Sequence, residues 1–83
     1  MKLTFTFDWV EEFEALDGAV KKQVLSKLRE VARAQPWPHE ALTGKQFKGL
    51  FKLRAGDYRL IYRVVDRETL DFLYLGHRRE VYN

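Results

Sequence analysis

Apolar and polar residues alternate from the start of the chain. Leu3, Phe5 and Phe7 fall on one side, and Lys2, Thr4 and Thr6 on the other, the period of a half-buried strand. The period then changes. Val10 and Phe13, with Trp9 and Leu16, recur at helical spacing behind Asp8, which stands three residues before Glu11 as in a capping box. "LDG" at 16–18 predicts the end of this helix, with Gly18 in the left-handed conformation and Asp17 placed to cap the next helix. Val20, Val24, Leu28 and Val31, flanked by Leu25 and Ala32, form the apolar stripe of a second helix over about 19–34. Its outer side carries Lys21, Lys22, Lys27, Arg29 and Glu30. "QPWPH" stops it, because proline cannot continue a helix interior. Residues 35–47 read as a connector in which "KQF" is already extended.

The two-residue period then returns. "GLFKLR" at 49–54 sets Phe51 and Leu53 opposite Lys52 and Arg54, and "AGD" at 55–57 is a tight turn with Gly56 free for positive φ. "YRLIYRVV" at 58–65 sets Tyr58, Leu60, Tyr62 and Val64 against Arg59, Ile61, Arg63 and Val65. "DRET" at 66–69 is a second turn. "LDFLYLGH" at 70–77 is apolar on nearly both faces, as a central strand is. By this periodicity Tyr58, Tyr62, Phe72 and Tyr74 count mainly as core, with base stacking open to one or two of them. The final "RREVYN" is too short for another helix. The fold class is therefore α+β: one small two-layer domain over 1–83, ordered strand, helix, helix, strand, strand, strand. An antiparallel sheet has a helical hairpin packed on one face.

Charge sharpens this picture. The formal net charge is +3, but residues 1–43 carry six Lys/Arg against seven Asp/Glu, and residues 44–83 carry nine against five. The positive excess belongs to the sheet half, on the face the helices leave uncovered. Like charges opposite one another on a sheet are destabilising, so Lys52, Arg54, Arg59 and Arg63 point to an anionic ligand. Arg78 and Arg79, beside His77 and Tyr82, add donors suited to phosphate oxygens. Other chemistries are poorly served. There is no cysteine, no H-x-x-x-H spacing, no glycine-rich phosphate loop, and one serine, Ser26, in mid-helix. His39 reads as exposed and inert. No apolar run approaches the roughly 18 residues of a membrane helix, and "MKLTFTFDWVEEFE" lacks the apolar stretch of a signal peptide. Together these predict a cytoplasmic protein with no membrane association.

The ordered phrases "KGLFKLR", "GDYRLIY" and "GHRREVY" resemble the RelE/ParE superfamily of type II toxin–antitoxin toxins, and its RelE branch in particular. The resemblance spans the chain. It implies a ribosome-dependent mRNA endonuclease that needs neither metal nor other cofactor. In that reaction the ribose 2′-hydroxyl attacks the adjacent phosphate in the ribosomal decoding site. It also implies a cognate antitoxin, acidic at least locally, as neutralising partner. Carried over residue by residue, the catalytic positions are Lys52, Arg59, Arg78 and Tyr82, with His77 a candidate proton carrier. Lys45, Lys48, Arg54, Arg63 and Arg79 are the expected RNA contacts. The chain departs from some relatives at Leu50, where they carry a second lysine. Two alternatives follow from the same resemblance: a non-enzymatic inhibitor of DNA gyrase, as ParE-like members are, and a degenerate member that only binds its antitoxin.

Overall fold

The computed structural model describes residues 1–34, 40–42 and 44–81. Strand β1 (Lys2–Phe5) leads into helices α1 (Phe7–Glu14) and α2 (Gly18–Arg33). A two-residue strand β2 (Glu40–Ala41) and a 3-10 turn (Lys45–Phe47) precede β3 (Phe51–Ala55), β4 (Tyr58–Asp66) and β5 (Thr69–His77), and a single turn of helix, α3 (Arg78–Val81), follows. The five strands form one sheet in the order β1-β5-β4-β3-β2. The expected α+β architecture is present, with β4 at the centre and β5 beside it. Strands β2 to β5 pair antiparallel, whereas β1 runs parallel to β5, Lys2 to Phe5 standing beside Thr69 to Phe72.

Four local expectations are corrected. Thr6, not Asp8, caps α1: its side-chain oxygen accepts from the Trp9 N–H at 3.2 Å while its hydroxyl donates to the Leu73 carbonyl at 2.8 Å. The pairing of β1 with β5 thus carries on into the cap and starts the helix two residues early. The inward stripe becomes Trp9, Phe13 and Leu16, and Val10 is left 42% exposed. Gly18 is the first residue of α2 and has no positive φ; Asp17 caps that helix as expected, accepting from the Val20 N–H at 3.0 Å. "KQF" is a 3-10 turn, and "RREV" does close a helical turn. His39 lies outside the described residues.

The core lies between the helices and one sheet face. Val24, Leu28 and Val31 of α2 and Trp9 of α1 pack on Leu53, Leu60, Tyr62, Leu70, Phe72 and Leu75. Within it the Tyr62 phenol is fully buried, and desolvation raises its pKa to about 12. In an unfolded chain it ionises near 10, so its contribution to stability is complete below about pH 10 and is lost as pH rises toward 12. Wild type should lose about 2–3 kcal/mol more than Tyr62→Phe between those limits, as read by urea unfolding at each pH.

At the β3–β4 turn, Gly56 has φ 62°, and a Cβ there would stand 2.8 Å from the Gln23 Oε1 atom. Gln23 can swing aside, but the left-handed backbone remains. Gly56→Ala should lower stability by about 1–2 kcal/mol, measured as a shift in urea midpoint, and Gly56→Asn by less.

Candidate active site

Register decides which side chains share the face opposite the helices. In the β3–β4–β5 ladder, Lys52, Ile61 and Tyr74 form one cross-strand row, and Arg54, Arg59 and Gly76 the next. Rows on the same face are two residues apart, about 7 Å along the strands. The alternation read from the sequence therefore holds for Lys52, Arg54 and Arg59. It fails for Tyr74. The register slips between Ile61–Tyr74 and Tyr62–Phe72, leaving Leu73 as an extra residue in β5. Strict alternation would put Phe72 and Tyr74 on one face. The bulge sends Phe72 into the core and Tyr74 out to the cationic face, 56% exposed.

Arg59 is the most constrained of the cations. It is 9% exposed, where the pattern predicted an exposed side chain. The guanidinium folds back over the turn: Nη1 donates to the Gly56 carbonyl at 3.0 Å and to the Tyr58 carbonyl at 3.1 Å. Neither acceptor carries a formal charge. Among the described residues Arg59 makes no ion pair, and its buried Nε has no hydrogen-bond partner. A desolvated cation held among the described residues by carbonyls alone has no local counter-charge, which is what an incoming oxyanion would supply.

The same turn gathers Arg78. Its N–H donates to the Asp57 carbonyl at 2.8 Å, and its Nε stands 3.9 Å from the Asp57 carboxylate. Arg59 and Arg78 are thus anchored to adjacent turn residues, Gly56 and Asp57. Lys52 is half-buried in the neighbouring row, and Arg54 is exposed directly across from Arg59.

Other expected site residues are placed differently. Arg63 pairs with Asp71 at 3.4 Å, and Asp71 also accepts from the Thr4 hydroxyl at 2.7 Å, so that charge is neutralised within the sheet. His77 stands across from Tyr58 on the helix side of the sheet, its ring edge-on to the tyrosine at 5.6 Å between centroids. Its Nδ1 accepts from the Arg79 N–H at 3.2 Å. Lys45, Lys48 and Arg79 are exposed. Tyr82 lies outside the described residues. Among those residues, no three His, Asp or Glu side chains are grouped to hold a metal ion.

Beside the cationic rows runs a groove of about 590 Å³. Leu42, Phe47, Leu50 and Ile61 give it an apolar lining, with Tyr74 and Gly76 on the sheet side. Its other wall is acidic: Asp8, Glu11 and Glu12 of α1, and Glu80 of α3. Leu50, which stands where some relatives carry a second lysine, belongs to this lining. Tyr74 and the acidic wall went unrecognised in the sequence, the first because of the bulge and the second because helix carboxylates read by default as a solvated face.

Comparison with known proteins fits this arrangement. The family described as the ParE toxin of the type II toxin–antitoxin system parDE matches residues 4–82. The chain belongs to the RelE/ParE superfamily of type II toxins. Among relatives, the toxin is 31% identical to the mRNA interferase toxin RelE of Escherichia coli K12, over 86% of this chain and 75% of that one. The isolated Escherichia coli RelE toxin superposes with a TM-score of 0.72 at 30% identity, covering 98% of this toxin and 89% of that chain. A chain of the toxin–antitoxin complex RelBE2 from Mycobacterium tuberculosis superposes with a TM-score of 0.77 at 25% identity, covering 95% and 92%. Among the described residues, no helix of the toxin is long and apolar enough to cross a membrane.

Proposed function

We propose that the toxin is a metal-independent endoribonuclease that cleaves mRNA on the ribosome and is neutralised by a cognate antitoxin. The observation that carries this reading is Arg59, nearly buried, held by turn carbonyls and without an ion pair among the described residues, beside a second arginine anchored to the same turn. The relative named as an mRNA interferase supports it, as does the fold match to a toxin in complex with its antitoxin.

In this scheme the scissile phosphate sits over the Arg54–Arg59 row. The 2′-oxygen attacks phosphorus, the bond to the 5′-oxygen breaks, and the products are a 2′,3′-cyclic phosphate and a 5′-hydroxyl. Negative charge gathers on the non-bridging oxygens in the transition state, where preorganised donors stabilise it most. Arg59 and Arg78 supply those donors; arginine stays protonated throughout, so both act as charge stabilisers. The two proton transfers, from the 2′-hydroxyl and to the 5′-oxygen, fall to Lys52 and Tyr82, since His77 stands on the other side of the sheet from the Arg54–Arg59 row. Lys45, Lys48, Arg54 and Arg79 hold the flanking backbone. Arg63 has a weaker claim, since Asp71 already answers its charge.

The test is to induce the toxin in cells and map new 5′ ends on mRNA. Fresh 5′-hydroxyl ends within coding sequence, lost when the antitoxin is co-expressed, are the expected result. Gyrase-linked DNA breaks with intact mRNA would instead assign the toxin to the ParE mode of action.

A further inference from the structure

The resemblance puts His77 forward as a proton carrier, but the sheet turns it away from the Arg54–Arg59 row. Its ring is nonetheless held on two sides. It stands edge-on to Tyr58 of β4, with 5.6 Å between centroids. Its Nδ1 accepts from the Arg79 N–H at 3.2 Å. His77 immediately precedes α3, so Arg79 is the second residue of that turn. This is a position from which an N-cap side chain accepts. The bond also fixes the state of the ring. An Nδ1 that accepts carries no proton, so the imidazole is neutral with its hydrogen on Nε2. Histidine is an unusual cap; serine, threonine, aspartate and asparagine are preferred. None of those four could also lay a ring against Tyr58.

We infer that His77 is a positioning residue for Arg78: as the neutral cap of α3 it fixes the turn from which that arginine reaches the phosphate. Arg78 lies between two anchors. Its own N–H donates to the Asp57 carbonyl at 2.8 Å, and the next N–H along goes to His77. Its guanidinium is about half exposed, and among the described residues its ion-pair partner is the Asp57 carboxylate at 3.9 Å. A contact that long does not aim a long side chain, so its direction comes from the backbone. A single turn of helix does not sustain itself, because ordering it fixes several dihedral angles for one hydrogen bond. Without the cap α3 frays, and Arg78 no longer keeps its place beside Arg59. The two arginines then cease to meet one phosphate together, and misplacement of that kind is costly in rate. His77 takes up no proton during turnover, since an imidazolium would give up the cap. The inference rests on the endonuclease reading for the reaction in which Arg78 acts.

Two substitutions separate the jobs of the ring. His77→Asn keeps a cap acceptor and drops the ring, while His77→Phe keeps a ring and drops the acceptor. In the full-length labelled toxin, exchange of the Arg79 amide with water, read by NMR, should quicken at least about fivefold in His77→Phe and stay within about twofold of wild type in His77→Asn. The single-turnover rate of mRNA cleavage on ribosomes should follow the same order. It should be about tenfold lower for His77→Phe and restored to within about twofold for His77→Asn. On an Arg78→Ala background His77→Phe should cost nothing further, because its effect passes through that arginine. A proton carrier would fail in both variants, and a ring needed for packing would fail in His77→Asn alone; either result overturns the inference. So does a His77→Phe toxin whose Arg79 amide exchanges as in wild type, or a loss that repeats in full on the Arg78→Ala background. The nuclease reading is scored apart from this, by whether wild-type toxin makes new 5′ ends at all. A toxin that makes none sinks that reading and the part His77 plays in it, while the Arg79 amide still decides whether His77 caps the turn.

Discussion

Arg59→Lys is expected to lower mRNA cleavage by about 10²–10³-fold while the toxin stays folded. Lysine keeps the positive charge and fits within the volume arginine occupies. It cannot present a planar fork to two phosphate oxygens while still holding the Gly56 and Tyr58 carbonyls. The loss should therefore appear in the single-turnover rate, with a melting temperature within a few degrees of wild type. Arg59→Ala is the less informative change. It removes both turn hydrogen bonds and a nearly buried side chain, so lost activity and lost structure would arrive together. A folded Arg59→Lys toxin with full activity would place the phosphate elsewhere. Arg78→Ala is the companion. Its side chain is half-exposed and, among the described residues, pairs with Asp57 at 3.9 Å, so activity should fall with little change in stability.

The largest effect on stability is expected at Phe72. Its ring lies 5.4 Å from Phe5, 5.2 Å from Tyr62 and 6.3 Å from Trp9, so one side chain on β5 joins β1, β4 and α1. Phe72→Ala should cost about 3–5 kcal/mol from lost burial and the cavity left behind. A chain of this length has a total stability of about 4–12 kcal/mol, so a large unfolded fraction is expected at 37 °C. Urea unfolding with Phe7→Ala as control makes the test specific. Phe7 is 76% exposed, and its loss should change stability by no more than about 0.5 kcal/mol. A Phe72→Ala toxin of near-native stability would mean that the aromatic cluster repacks.

Alternation alone was enough to sort Leu53, Leu60 and Tyr62 from Lys52, Arg54 and Arg59, because a strand with one buried face repeats every second residue. The stripe Val24, Leu28, Val31 was legible for the equivalent helical reason. What alternation cannot carry is a count that changes. The single extra residue at Leu73 inverted the reading for Tyr74, and nothing in "DFLYLG" marks it. Long-range partners were equally hidden: Asp71 neutralises Arg63 through a register that only the folded hairpin sets. Burial of Arg59 was missed because arginine in an alternating strand reads as solvated. The turn carbonyls that draw it inward are backbone atoms, and residue type does not report them. For the same reason Thr6 was passed over as a cap in favour of the more obvious Asp8.

The parallel pairing of β1 with β5 bears on when the toxin becomes dangerous. Lys2 meets Thr69 and Phe5 meets Phe72, so β1 must wait for both helices and strands β2 to β4 to be made before its partner exists. Closing so long a loop is an entropic cost that local helix formation cannot offset early. Gly76, across from Arg59, and Arg78, on the Asp57 turn, come later in the chain than either helix. A growing chain can hold two formed helices and still lack Arg78, one of the two arginines proposed to bind phosphate. On the proposed reading the toxin is harmless until β5 and Arg78 have been made, well after both helices can form, and the parallel pairing thus acts as a timer on its activity.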